Sequence, residues 1–230
     1  MSSVDTAALA FAIDQTLLRP TVSISEAAAW MEESHDKGFA TLCVSPFLVP
    51  LASQRLAGTD TRVCSVVGFP LGYSLTETKA EEAARLVDLG CHEIDMVVNL
   101  GALLGGEDEL VTDDIEAVVT AVSEQSGGRG LVKVILETGH LEDADIERGC
   151  RLAVRGGATF VKTSTGFGPR GASLRDVEVM RATVGPEVGV KAAGGIRDLD
   201  SALAMLEAGA DRIGTSNGLE ILTQAAARGL

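Results

Sequence analysis

Ala158-Thr159-Phe160-Val161-Lys162-Thr163-Ser164-Thr165-Gly166-Phe167-Gly168-Pro169 is the stretch on which the reading of the chain turns. Ala158 to Val161 have the branched and aromatic bias of a buried strand, and Gly166, Gly168 and Pro169 stop it from continuing as strand or helix. Lys162 therefore closes a strand and opens onto a glycine-punctuated loop, a costly place for an ammonium group. Only five lysines occur, Lys37, Lys79, Lys133, Lys162 and Lys191. Three of them (Lys133, Lys162 and Lys191) fall inside strand-like runs, whereas lysine normally covers surface.

Outward from this strand, in both directions, strand-like runs alternate with helical ones. A short leading helix precedes a first strand, Phe11 to Leu18, which Pro20 ends. Ser23-Ile24-Ser25-Glu26 is a capping box, with Ala27, Trp30, Met31 and Ser34 at helical spacing and Gly38 as the stop. Strand two runs from Phe39 to Val44 and strand three from Arg62 to Gly68. A second capping box, Ser74-Leu75-Thr76-Glu77, opens a helix whose buried face is expected at Ala80, Ala83, Ala84 and Val87. Strand four is Glu93 to Val98, followed by a helix over 107–126, and strand five is Leu131 to Glu137. A helix presenting Ile146, Gly149, Cys150 and Ala153 leads to the lysine strand. Helix 173–183, strand seven from Val188 to Lys191, a helix through Leu199, Ala202, Leu203 and Leu206, strand eight from Arg212 to Gly214, and helix 216–228 complete the chain.

Eight strand-helix units in strict alternation predict a single-domain (β/α)8 TIM barrel over residues 1–230, with a doubly wound sheet as the alternative. A repeated offset favours the barrel. Five residues past a helix-ending glycine lie Cys43 (from Gly38), Asp95 (from Gly90), Lys162 (from Gly157) and Gly214 (from Gly209). Equal offsets on strands mean equal height and equal facing, so these positions can converge on one mouth of a barrel.

Composition narrows the function. At 230 residues, 46% hydrophobic and 23% charged, the chain is globular in character and has no apolar run near the roughly 20 residues that span a bilayer. Met1 to Asp5 lack the basic start and apolar core of a secretion signal, so a soluble, cytoplasmic protein is expected. A net charge of −14 argues against nucleic acid and anionic membranes as partners, and any phosphate must be gripped locally. The four cysteines and three histidines are scattered without metal-ligand or disulfide spacing, so neither a metal nor another cofactor is expected. A homodimer is compatible with the sequence.

Lys162 and Lys191 close neighbouring strands, so their amines are expected several ångströms apart with little water between them. A lysine of pKa ~10.4 is roughly 0.1% neutral or less at pH 7, whereas one lowered to ~7 is about half neutral. Such an amine attacks a carbonyl to form a Schiff base, and a neighbouring cation is one way to prepare it. The plainer reading makes both lysines phosphate contacts or salt-bridge partners. Asp95 can move protons or serve as their counter-ion. Asp14 and Thr16, on strand one, are candidates for a substrate hydroxyl or for structural support, and Cys43 is a small core residue or a substrate-side group. Lys133 and Glu137 face the same way, which suggests an ion pair beneath the site.

Two loops carry the anion-binding signal: Ala193-Gly194-Gly195-Ile196-Arg197 after strand seven and Gly214-Thr215-Ser216-Asn217 after strand eight. Barrels hold phosphate there, with glycines admitting backbone N–H groups and a helix N-terminus near Ser216 adding its positive end. Gly166 can complete the cup.

The segments around Asp14, Cys43, Asp95–Asn99, Lys133–Glu137, Lys162–Gly168, Lys191–Arg197 and Gly214–Asn217 closely resemble the deoxyribose-phosphate aldolases, in order along nearly the whole chain. The resemblance implies a class I aldolase that needs no metal and interconverts 2-deoxy-D-ribose 5-phosphate with D-glyceraldehyde 3-phosphate and acetaldehyde. It makes Lys162 the Schiff-base lysine and Asp95 with Lys191 the proton relay. The phosphate contacts fall on Gly166, Gly194, Gly195, Arg197, Gly214, Ser216 and Asn217, with Asp14, Thr16 and Cys43 as further substrate-side candidates. Two positions depart from the family pattern: Gln15 stands where a histidine is common, and Phe167 where some members have lysine. The competing expectations are another sugar-phosphate lyase or isomerase on the same barrel, and a non-catalytic phosphosugar-binding barrel.

Overall fold

Strands and helices alternate as the glycine spacing predicts, and in the computed structural model the sheet closes on itself. The described residues run from 5 to 230, so Met1 to Val4, on which the expectation about a secretion signal rests, lie outside them. The strands are β1 (Ile13–Leu17), β2 (Thr41–Val44), β3 (Arg62–Val67), β4 (Glu93–Val97), β5 (Leu131–Ile135), β6 (Phe160–Lys162), β7 (Gly189–Ala193) and β8 (Arg212–Thr215). Each pairs in parallel with the next, and β1 pairs with β8, which rules out the doubly wound alternative. Helix α1 (Thr6–Phe11) precedes the barrel. The others are α2 (Ile24–Ser34), α3 (Val49–Arg55), α4 (Thr76–Asp88), α5 (Leu100–Gly105), α6 (Asp108–Ser126), α7 (Asp143–Arg155), α8 (Leu174–Val184), α9 (Leu199–Glu207) and α10 (Gly218–Ala227). No helix among the described residues is long and apolar enough to cross a membrane.

The offset from glycine works because Gly38, Gly90, Gly157 and Gly209 all take positive φ, the backbone state in which a chain leaves a helix most cheaply. Alternation along each strand then divides the molecule into two environments. Outward side chains such as Leu42, Ile94, Met96, Val134, Val161, Val190 and Ile213 join Met31, Ala83, Ile115, Cys150, Val177 and Leu199 of the helices in one continuous apolar layer. Fully burying a leucine, isoleucine or valine contributes about 1.5–3 kcal/mol, so this layer outweighs any single polar term and holds the barrel closed. Inside the barrel, among the described residues, there is one small apolar cluster: Cys43, Cys64 and Val66, with Leu18 and Phe69 against them. The remaining interior positions are largely charged.

Four local expectations are corrected. Helix α4 starts at Thr76 with Leu75 at its N-cap, and the Ser74-to-Glu77 capping box does not form. Thr76 Oγ1 instead donates to Asp114 Oδ1 at 2.9 Å. The face that α4 buries is Lys79, Ala83 and Leu86, with Ala80, Ala84 and Val87 only half-buried. Lys79 Nζ donates to Val97 O at 3.0 Å and to Asp114 Oδ2 at 2.6 Å, an ion pair between α4 and α6 that only tertiary packing creates. The extra helix α5 is set by Asn99, whose side chain accepts from Ala102 N–H, and it stops at Gly106 in the left-handed region. Finally, β7 runs two residues beyond Lys191, which therefore lies within its strand and not at the end.

Candidate active site

Register brings the charged residues together. Asp95 is paired with Lys133 across β4 and β5, and Lys162 with Lys191 across β6 and β7. Register partners in a parallel sheet point to the same face, so all four side chains enter the barrel. There, Lys162 Nζ and Lys191 Nζ each donate to Asp95 Oδ2 at 2.7 Å. The two nitrogens are thus no more than twice that distance apart. The other carboxylate oxygen, Oδ1, accepts from Lys133 Nζ at 2.8 Å and from the Cys64 thiol at 3.3 Å.

A second tier lies below. Lys191 Nζ is 2.5 Å from Asp14 Oδ2, and Lys133 Nζ is 2.7 Å from Glu93 Oε2. Arg212 closes the floor with ion pairs to Asp14 and Glu93. Lys133 therefore pairs with Glu93 and Asp95, and Glu137 is not its partner. Burial alone would raise the pKa of Asp95, but Lys133, Lys162 and Lys191 hold it well below the usual carboxylate range. Asp14 is likewise held down, against burial, by Lys191, Lys133 and Arg212. Burial would discharge Lys191, yet Asp14 and Asp95 keep it above the ordinary lysine value. Lys133 is held up in the same way, by Asp95 first.

Cys43, Cys64 and Asp95 bring ligand atoms within 4.8 Å of one another. Both oxygens of Asp95 are already engaged by ammonium groups, whose charge repels a cation. The Cys43 thiol is lowered by its hydrogen bond with Cys64, and burial pushes Cys64 up.

Above Lys162 opens a cavity of about 330 Å³. It is lined by Thr16 of β1 and Arg19 from the loop after it, Thr165, Gly166 and Phe167 from the β6 loop, Gly194, Gly195 and Arg197 from the β7 loop, and Gly214 of β8 with Ser216 and Asn217 after it. A larger open groove of about 600 Å³ runs along Gly68 to Ser74 and α4, but it contains none of the predicted site residues. The cavity floored by Lys162 is the one that unites them. Of the sequence-predicted residues, Asp14 and Cys43 do not line it: both are fully buried, Asp14 under Lys191 and Cys43 beside Cys64. Asp95 and Lys191 also lie beneath the cavity, reaching it through Lys162.

The loops are tied to one another. Thr163 Oγ1 donates to Ala193 O at 3.1 Å and accepts from Ala193 N–H at 3.0 Å. Thr215 Oγ1 donates to Ile196 O at 2.7 Å and accepts from Asn217 N–H at 3.0 Å. Gly214 is small for a second reason: a Cβ there would lie 2.9 Å from Ala193 Cβ and 3.1 Å from Lys191 Cε, so the glycine makes room for the lysine stem. Helix α10 begins at Gly218, two residues later than expected, and Gly218 N–H donates to Gln15 Oε1 at 2.9 Å. Gln15 thus faces away from the cavity and braces the helix beside it. Phe167 sits half-exposed on the rim, edge-on to Phe69 with ring centroids 5.5 Å apart. Arg19, Thr165 and the bracing role of Gln15 were not marked in the sequence. Arg19 could have been found from its place just past β1, since the loops at that end of every strand reach the same mouth.

Residues 8–224 match the family model of the DeoC/LacD family aldolases. The chain is 50% identical over 210 residues to the deoxyribose-phosphate aldolase of a Geobacillus species, covering 91% of this chain and 92% of that protein. It is 49% identical over 214 residues to the Bacillus subtilis deoxyribose-phosphate aldolase, covering 93% and 94%. Among solved structures, the tetrameric deoxyribose phosphate aldolase from Aeropyrum pernix superimposes with a TM-score of 0.89 at 32% identity, covering 97% of this chain and 93% of that one.

Proposed function

The chain belongs to the DeoC/LacD aldolase family, and on that premise we propose that it cleaves 2-deoxy-D-ribose 5-phosphate reversibly to D-glyceraldehyde 3-phosphate and acetaldehyde through a Schiff base at Lys162. The observation that carries this reading is the convergence of the Lys162 and Lys191 amines on one oxygen of Asp95, directly under the glycine-lined cavity.

The charge inventory supports Lys162 as the nucleophile. Four interior cations, Lys133, Lys162, Lys191 and Arg212, face three carboxylates, Asp14, Glu93 and Asp95. Release of one proton leaves the interior neutral, and Lys162 is the only lysine of the three that lines the cavity. Its neutral amine adds to the sugar's C1 aldehyde, the released proton returns to the carbinolamine hydroxyl, and loss of water gives the protonated imine. The C3 hydroxyl proton leaves through a water held by Asp95 and Lys191, the C2–C3 bond breaks, and its electron pair moves onto the imine to form an enamine. Glyceraldehyde phosphate departs. Lys191 returns a proton to the enamine carbon through the same relay, and hydrolysis releases acetaldehyde and the free amine. The phosphate end rests in the cup of Gly166, Gly194, Gly195, Arg197, Gly214, Ser216 and Asn217, where the glycines allow close approach to the backbone and Arg197 adds a positive charge. Thr16, on β1 next to the β8 end of the cup, is the candidate for a sugar hydroxyl.

Borohydride reduction in the presence of acetaldehyde tests the reading. It adds a stable two-carbon mass to a peptide containing Lys162, and a peptide map with no adduct there sinks the proposal. Self-association belongs to the same proposal, in keeping with the tetrameric relative, and is read by light scattering.

A further inference from the structure

Glu137 is the one non-glycine residue among those described with a positive φ, 57°. Glycine or asparagine fills that backbone state with less strain, so a glutamate there points to a task for its side chain. It stands where the chain steps off β5. On one side Leu136 N–H donates to Lys162 O at 2.9 Å, and on the other Thr138 N–H donates to Thr163 O at 2.9 Å. The ladder between the two strands thus continues past Lys162 on either side of Glu137, and the Glu137 side chain turns to the loop above.

There its carboxylate is buried. Both oxygens accept from Thr165 N–H at 3.3 Å, and Thr165 Oγ1 donates to Oε2. Thr165 Oγ1 in turn accepts from Phe167 N–H at 3.0 Å. Gly168 packs so closely that a Cβ on it would lie 2.8 Å from the Glu137 carboxyl carbon. The turn 165–168 therefore hangs on one carboxylate, and that turn supplies Gly166 and Phe167 to the cavity wall. Glu137 does not line this cavity but a smaller one of about 120 Å³ behind the turn, with Thr165, Phe167 and Gly168, so what it does for a ligand in the main cavity passes through the turn.

We propose that Glu137 is a positioning residue that holds the Thr165–Gly168 turn in place as the phosphate-binding wall. This rests on the aldolase reading above. The lysine end is fixed separately, because Thr163 is bonded to Ala193 and Lys162 to Asp95 without help from Glu137. Loss of the carboxylate should accordingly weaken the grip on the phosphate and spare the chemistry at C1.

Steady-state kinetics of Glu137→Ala, Glu137→Gln and Thr165→Val, each with 2-deoxyribose 5-phosphate and with 2-deoxyribose, decide it. For the phosphorylated sugar, Glu137→Ala should raise KM about 10-fold or more, the scale of a lost hydrogen bond to an ionised group, while kcat stays within about 3-fold. KM for the phosphate-free sugar should not move. Glu137→Gln keeps one acceptor oxygen and should recover part of the affinity, and Thr165→Val should reproduce the split. An equal loss on both sugars, or an unchanged KM for the phosphorylated one, overturns the proposal. If the alanine variant does not fold, Thr165→Val decides by the same criterion. Calorimetric binding of inorganic phosphate to wild type and variants reads the turn without turnover. A wild type that binds phosphate but cleaves neither sugar would refute the aldolase reading, while the variants' phosphate affinities would still judge Glu137.

Discussion

Lys162 and Lys191 are direct register partners on adjacent strands, and their amines share a single oxygen of Asp95. The arrangement distinguishes the two lysines. Lys191 also holds Asp14 and is boxed in by carboxylates, whereas Lys162 borders the cavity and has only Asp95.

Substituting the two lysines should therefore have opposite consequences for stability. Lys162→Met removes the surplus interior cation and leaves three carboxylates facing three cations. Its unfolding free energy should stay within about 1 kcal/mol of wild type or rise, while aldol cleavage falls by about a thousandfold or more. Lys191→Met takes away the partner of Asp14 Oδ2 and one of the two ammonium groups on Asp95 Oδ2, and should cost about 3–5 kcal/mol. Urea unfolding beside an activity assay reads both, and equal destabilisation of the two variants would contradict this difference in pairing.

The same network predicts how stability varies with pH. Asp14 and Asp95 are depressed by folding, so their contribution is complete above the unfolded value of about 3.9 and is lost as pH falls through the lower folded values. Lys133 and Lys191 are raised, so theirs is complete below about 10.4 and is lost as pH rises through the higher folded values. A stability plateau from about pH 5 to about pH 10 follows from the two limbs. Thermal melts across that range check it, and a steady decline between pH 5 and 9 would count against it.

Two cup glycines should fail in different ways. Gly214→Ala pushes a methyl group against Lys191 Cε and Ala193 Cβ, so it should displace the lysine and lower kcat by about 10-fold or more. Gly166 has φ +87° and open space at its Cβ position, so Gly166→Ala meets backbone strain but no clash. A cost of about 1 kcal/mol and a raised KM with near-normal kcat are expected there. Kinetics on the two variants separate a glycine that clears space for a side chain from one that shapes a loop.

Sequence reading reached the barrel because helix-ending glycines punctuate the chain at a fixed distance from the inward-facing positions, and Cys43, Asp95, Lys162 and Gly214 all lie at that height. It reached the cavity loops because Gly194, Gly195 and Gly214–Asn217 follow the last two strands. What it could not supply were partners distant along the chain. Arg212 meets Asp14 and Lys79 meets Asp114 only through tertiary register, and a lysine on an exposed-looking helix carries no local sign of burial. The same limit explains why Asp14 and Cys43, correctly placed inside, could not be ranked by depth. The Ser74–Glu77 pattern was misleading because the helix starts one residue later than that box requires, with Leu75 at its N-cap and Thr76 bonded to Asp114 on another helix.

The barrel wears its oil outside and its ions within, and the two respond differently to warmth. Water solvates charged groups less favourably as temperature rises, so the penalty for keeping Asp14, Asp95, Lys133 and Lys191 away from it shrinks, while the gain from apolar contact levels off. Heat should therefore loosen the outer helical coat before it loosens the charged pith.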